Sequence, residues 1–261
     1  APEAPMGFQY VSVEDAQQRP GLRMVVVGGI PSPWSEAAKG ILHLKGIDWA
    51  AVRLDYDSQA LKEWAGQRSG PVAIYGDERP RAGWAEILLL AQRLAPNPPL
   101  LPADAAQRAL AFGLAHEICG EQGLGWTRRL QLVQAGLQGQ GGFEMRAAKY
   151  VGKKYGYSSE TGAASAPRVQ QLLRMLAARL KAQHAEGSDF YIGSTLGAVD
   201  VYSATFMAMF KPLPQQVCPM DAATRAAFET LDAPTAEALD PVLLAHRDMV
   251  YGRYLELPLS L

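Results

Sequence analysis

The chain has 261 residues, 48% apolar and 20% charged, with 25 Lys+Arg against 26 Asp+Glu and a net charge of −1. These proportions belong to a folded globular protein and exclude disordered, collagen-like and disulfide-scaffold classes. The charge balance gives no basic excess to track phosphates, so no nucleic-acid partner is expected. Cys119 and Cys218 are too few for a disulfide framework, and both are expected to be free thiols. No stretch nears the ~18 apolar residues of a membrane helix, so no membrane partner is expected. The first residues lack the apolar core of a secretory signal, which makes a cytoplasmic location the default.

Residues 1–22 read as an irregular lead-in. Met24-Val25-Val26-Val27, stopped by Gly28-Gly29, predicts a buried strand. Ser35 to Lys45 predicts a helix, with Glu36 early and Lys45 late to suit its dipole and Gly46 to end it. Trp49 to Leu54 is a second strand, Leu61 to Ala65 a short helix, and Pro71 to Tyr75 a third strand. Arg79-Pro80-Arg81 could pair only at a sheet edge, because Pro80 cannot donate to a ladder. Trp84 to Leu94 is a strong helix. A βαβ start of this kind requires a parallel pair.

The proline-rich stretch 96–102 is the best boundary in the chain. It separates a small α/β domain, 23–95, from a region, 103–261, that reads as helical throughout. The predicted helices are Ala103–Gly120, Trp126–Leu137, Glu144–Lys153, Ala166–His184, Ala198–Phe210, Ala222–Leu231 and Pro241–Tyr254, with Gly136 to Gly142 as a flexible connection.

Three local features carry chemistry. Ser32-Pro33-Trp34-Ser35 stands between the first strand and the first helix of the α/β domain. Amides at a helix N-terminus are unpaired and carry about half a positive charge, so a thiolate docked there is stabilised, and thiolates are the nucleophiles. A nearby hydroxyl could donate to it. The alternative is that Ser32 or Ser35 simply caps the helix. Pro33 pushes Ser32 out of helical geometry towards a ligand, whereas Ser35 is placed to cap or pack. Gly70-Pro71 opens the third strand, where a cis bond would bare the Gly70 backbone to a peptide ligand, against a trans proline at a strand start. In Leu196-Gly197-Ala198-Val199-Asp200-Val201, Gly197 at N-cap and Asp200 at N3 make a helix start, a folding device.

Trp126, Tyr150, Tyr155 and Tyr157 could wall an apolar pocket or serve ordinary helix packing. Arg146, Lys149, Lys153 and Lys154 read as a solvated face. The four histidines show no metal-ligand spacing, so no metal is expected, and no phosphate-binding glycine loop is present.

Taken in order, SPWSEAAKGILHLKGIDW (32–49), GPVAIY (70–75), WAEILLLAQRLAP (84–96) and YIGSTLGAVDVYSATF (191–206) resemble the glutathione transferase family, over about residues 24–210. The resemblance is to the serine-type, tau- and omega-like members. It implies a thioredoxin-like N-terminal domain, a helical C-terminal domain with an acceptor pocket between them, and a homodimer. Glutathione is then the co-substrate and a small, apolar electrophile the acceptor. Ser32 falls where serine types keep a thiolate-stabilising hydroxyl, and Gly70-Pro71 falls on the family's Val–cis-Pro step. Pro33, Trp34, Ser35, Arg81, Ala82, Gly83, Trp126 and Tyr150 join the implied binding site. One departure stands out: Ala82-Gly83 replaces the family's Glu-Ser, which holds the γ-glutamyl end. The amides of the helix that follows, and Arg81, remain to bind a carboxylate. A non-catalytic binding or scaffold protein of the same fold is the alternative.

Overall fold

The computed structural model describes residues 8–261. The chain divides into two compact units. One runs to Pro99 and takes back Pro214–Met220 and Leu255–Leu261; the other holds Leu100–Leu213 and Asp221–Tyr254. The two returning segments, read from sequence as part of the helical domain, belong to the first unit, joined to each other by a backbone bond and to Lys39 by a side-chain one. Leu259 N donates to Val217 O at 2.8 Å, and Lys39 Nζ donates to Ser260 O at 2.6 Å.

The first unit contains α1 (Val13–Gln18), β1 (Leu22–Val26), α2 (Pro33–Lys45), β2 (Trp49–Arg53), α3 (Gln59–Ala65), β3 (Val72–Tyr75) and α4 (Trp84–Leu94). The sheet order is β2-β1-β3. β1 runs parallel to β2, from Leu22↔Trp49 to Val26↔Arg53, and antiparallel to β3, with Val25 opposite Val72. As the central strand, β1 is buried along its whole length, which explains its near-continuous apolar run. Arg23 interrupts that run, and the sequence reading therefore started the strand too late. Its guanidinium is satisfied inside, donating to Ala16 O and Arg19 O at 2.9 Å and Gly76 O at 2.7 Å. The expected edge strand at Arg79–Arg81 shrinks to one bridge, with Ala73 and Arg81 exchanging N–H···O bonds of 2.8 Å.

The lead-in needs correction from Phe8 onward; residues 1–7 of it lie outside the described residues. Tyr10 bridges Ala51, and Val11 N donates to Ala51 O at 2.8 Å. α1 follows, capped by Ser12 Oγ, which accepts from Asp15 N at 3.0 Å. Its Ala16 is buried with Val25, Val52, Leu61, Val72 and Ile74. The Ser12-x-x-Asp15 spacing is a helix-start signal, but the helix is too short to show a period.

The second unit is helical: α5 (Ala105–Cys119), α6 (Leu124–Leu137), α7 (Met145–Tyr155), α8 (Ser159–Ala185), α9 (Ala198–Phe206) continuing into a 3-10 turn (Met207–Met209), α10 (Ala222–Phe228), α11 (Ala233–Ala238) and α12 (Pro241–Tyr254). α8 starts earlier than expected and carries Pro167 in its interior, with Ser158 as its cap. α11 was not expected; Asp232 caps it, accepting from Thr235 N at 2.8 Å.

Buried polar groups fix this unit. Asp200 Oδ2 accepts from Gly197 N at 2.9 Å, the expected helix start. Its Oδ1 takes the Tyr191 N–H at 3.0 Å and faces His246 Nε2 at 2.9 Å. Arg128, fully buried on α6, reaches four acceptors: Met209 O at 2.9 Å, Gln131 Oε1 at 2.6 Å, Phe228 O at 3.1 Å and Thr230 O at 2.6 Å. Burial pushes its pKa down to about 9, with the charge of Asp232 acting the other way.

Each carbonyl that Arg128 serves would be left buried and unpaired without it, at about 1–3 kcal/mol apiece. Arg128→Ala is therefore expected to lower the unfolding free energy by about 3 kcal/mol or more. Urea titration measures this, with the exposed Arg174→Ala within about 0.5 kcal/mol of wild type as control.

Candidate functional site

The site grows from the end of β1. Beyond Val26 the chain passes Gly28-Gly29 and Ile30-Pro31 before entering α2, whose N-cap is Ser32 and whose first helical residue is Pro33. Ser32 has φ −62° and ψ 119°, outside the helical region as its following proline requires, and its hydroxyl makes no capping bond. Among the described residues only its backbone is engaged: the carbonyl accepts from Glu36 N and the amide donates to Ile30 O, both at 2.9 Å. Ser35 differs. Its side chain is wholly buried, and its Oγ accepts from Val27 N at 3.1 Å, so it ties α2 to the end of β1 and caps nothing. Trp34 is half-buried between the two serines.

The Gly70–Pro71 bond is cis. A Cβ on Gly70 would lie 3.1 Å from Val27 N, so glycine lets the start of β3 close on the end of β1. Ser32, Pro33, Ser35, Gly70 and Pro71 thus gather at the C-terminal end of the central strand.

At the mouth of α4, where the amides and Arg81 read from sequence as available to a ligand carboxylate, an internal carboxylate lies close by. Gly83 is its N-cap, and Gly83 N donates to Glu86 Oε2 at a long 3.4 Å. Glu86 also pairs with Arg79 at 2.8 Å, and that bond, with help from the Gly83 and Ala82 amides, holds its carboxyl below the usual range. Arg81 donates to Glu78 Oε1 at 2.9 Å, and Glu78 receives Arg93 as well. Arg93 first, then Arg81, keeps the Glu78 carboxyl low. The other terminal nitrogen of Arg81 is buried without a partner. Ala82 packs against the apolar core.

Sequence reading missed Glu36 as an interior group. α2 is buried on nearly every side, and Glu36, Lys39 and Lys45 lie inside with it. Lys39 Nζ sits 2.8 Å from Glu36 Oε1, donates to Ser260 O and lies 5.1 Å from the Phe8 ring centre. Lys45 Nζ donates to Pro98 O at 2.6 Å. Burial raises the Glu36 pKa, with Lys39 opposing it, and burial lowers that of Lys45. Glu36 early and Lys45 late, read as matching the helix dipole, are thus interior groups with partners of their own.

Trp126 and Tyr150 belong to the second unit. Trp126 meets Tyr155 edge-on at 4.7 Å, whereas Tyr150 is 56% exposed on α7. Tyr157, between α7 and α8, donates to Gln134 on α6. Cys119 and Cys218 are buried and not joined in a disulfide, and burial raises the Cys119 pKa. Among the described residues no His, Cys, Asp or Glu group could hold a metal ion, and no helix is long and apolar enough to cross a membrane.

Glu36 gives a pH signature. Its folded pKa is raised, so the folded state holds the proton more tightly than the unfolded chain. Stability from that proton is present below the unfolded value and is lost as pH rises through the folded one. Glu36→Gln cannot titrate. The unfolding free energy of wild type relative to Glu36→Gln is expected to fall as pH rises from about 4.5 towards neutrality, as urea titrations across that window measure.

No protein-family model and no curated protein matches the chain. Solved structures do. A glutathione transferase family member from Pseudomonas fluorescens, with two glutathione bound, has a TM-score of 0.63 at 13% identity, covering 94% of this chain and 98% of that one. A glutathione S-transferase from Methylobacterium radiotolerans, in complex with glutathione sulfonate, gives 0.59 at 19% identity, covering 89% and 91%. A rice glutathione transferase in complex with glutathione gives 0.58 at 20%, covering 92% and 94%. The chain thus has the glutathione transferase fold: a thioredoxin-like unit with a small mixed sheet, followed by a helical unit.

Proposed function

We propose that this chain is a glutathione transferase-like enzyme that activates the glutathione thiol for attack on a small electrophile. The observation that carries the reading is Ser32: an N-cap residue whose hydroxyl is not spent on its own helix, beside Gly70–Pro71. In this reading the peptide part of glutathione lies along Gly70–Pro71 and its sulfur sits at the mouth of α2. The Ser32 Oγ–H donates to the thiolate, and the partial positive charge of the helix start lowers the thiol pKa. The thiol proton leaves to solvent, the sulfur bonds to the electrophilic carbon as that carbon's bond to its leaving group breaks and the group departs with the electron pair, and the protein supplies position and a lowered pKa. Neighbours of the same fold hold glutathione or its sulfonate, which supports the ligand class. A cytoplasmic homodimer, with Trp126 and Tyr150 among its acceptor contacts, completes the proposal.

A second reading, a binding or scaffold protein without turnover, is favoured by the mouth of α4. Ala82-Gly83 offers no side-chain partner, and Glu86 already takes the Gly83 amide. Calorimetric titration with glutathione, followed by turnover with an electrophile, separates the two: binding with turnover supports the enzyme, and binding without turnover supports the scaffold.

The serines give the sharper test. Ser32→Ala is expected to lower turnover about tenfold, the effect of losing about 1.4 kcal/mol of hydrogen bonding to a charged group. Ser35→Ala strands the Val27 amide and is expected to cost about 1–3 kcal/mol of stability, read by urea titration, with the smaller effect on turnover. The reverse pattern would move the thiolate contact to Ser35.

A further inference from the structure

Arg53 ends β2, opposite Val26 at the end of β1. Of the seven described arginines in the first unit, six are engaged: Arg19, Arg68, Arg79, Arg81 and Arg93 by side chains, and Arg23 by backbone carbonyls. Among the described residues Arg53 has neither a hydrogen bond nor a carboxylate partner, and it is exposed. The nearby acids are committed elsewhere: Glu36 to Lys39, and Asp55 Oδ1 to the amide of Asp57. The hydroxyl of Tyr10 feels the Arg53 charge.

Yet Arg53 does not simply wave in solvent. It lies against the turn that leads to Ser32. A Cβ on Gly28 would stand 2.7 Å from its Nε and 3.0 Å from its Cγ and Cδ, and a Cβ on Gly29 would stand 3.1 Å from a terminal nitrogen. Gly29 needs its freedom for φ +81°, but Gly28 has no positive φ. At Gly28 the missing side chain serves the approach of Arg53.

Position then selects the ligand. Gly70–Pro71 flanks the end of β1 on the β3 side, and Arg53 flanks it on the β2 side. From Gly29 to Ser32 is three residues, at most roughly 11 Å of chain. If the thiol peptide runs along Gly70–Pro71, the guanidinium stands across the strand end from it, clear of the peptide's own side. A guanidinium fork fits a carboxylate with two parallel bonds.

We infer that Arg53, cradled by Gly28, anchors a carboxylate of the electrophile, so that the acceptor class is anionic as well as small. This rests on the function proposed above. The test uses para-chloro-meta-nitrobenzoate and its methyl ester as electrophiles, with glutathione saturating. In that reaction the sulfur–carbon bond forms at the chlorine-bearing ring carbon, chloride leaves with the C–Cl electron pair, and the thiol proton passes to buffer. The readout is the acid-to-ester ratio of kcat/KM, which cancels the intrinsic reactivity of the two rings between variants. Arg53→Met is expected to lower that ratio about tenfold or more. Gly28→Ala, which displaces the guanidinium and keeps its charge, is expected to lower it in the same direction. An unchanged ratio in Arg53→Met overturns the inference, as does a wild-type enzyme that binds glutathione yet turns over neither compound. Absence of glutathione binding by the wild type overturns the function proposal and the anchor together.

Discussion

Helix α2 leaves the end of a strand that is buried along its whole length, and it is itself buried on almost every face. That enclosure is the constraint on which the rest depends. A helix so enclosed cannot shift its first turn without disturbing the sheet, because Ser35 Oγ is bonded to the Val27 amide. It also cannot keep charges on its surface, since it has almost none. Glu36, Lys39 and Lys45 are therefore paired with each other or with backbone carbonyls of the segments that wrap the helix. The mouth of α2 is held rigidly as a result, and a rigid helix mouth is what preorganised stabilisation of an anion requires.

The starts of α2 and α4 solve the same problem in opposite ways. At α2 the N-cap serine leaves its side chain uncommitted, and the proline at the next position has no amide to satisfy. At α4 the N-cap is glycine, and the chain bends its own Glu86 back to the amide, with Arg79 holding that carboxylate in place. The first mouth is suited to receive a charged group, and the second already has one. The contrast favours thiol chemistry at α2 and a looser hold on the far end of any peptide ligand. A ligand carboxylate arriving at α4 would have to displace an internal one that its arginine keeps ionised.

Much of this was legible in the sequence, and the omissions share a cause. β1, α2, β2, β3 and α4 announce themselves through apolar runs and helical spacing, and Gly197 with Asp200 marks the start of α9. Arg23, Glu36 and Lys45 misled because charge normally signals surface, whereas here backbone carbonyls serve Arg23 and Lys45, and a lysine one helical turn on pairs with Glu36. α1 and α11 are too short for periodicity, so only their caps, Ser12 and Asp232, betray them. The position of Ser32 could be read from Pro33. That its hydroxyl would be uncommitted, while that of Ser35 would not, depends on the end of β1 and could not. Arg53 carries no local signal at all; its place beside Gly28 exists only once β2 pairs with β1.

The central claim is that the first turn of α2, with Ser32, holds a thiolate. Titrating the ultraviolet absorbance of the glutathione thiolate bound to the wild-type chain tests it most directly. A bound thiol pKa at least one unit below the roughly 8.5 of a free thiol, moving back towards that value in Ser32→Ala, is the expected result. A bound thiol that titrates as it does in water, in wild type and variant alike, would contradict it.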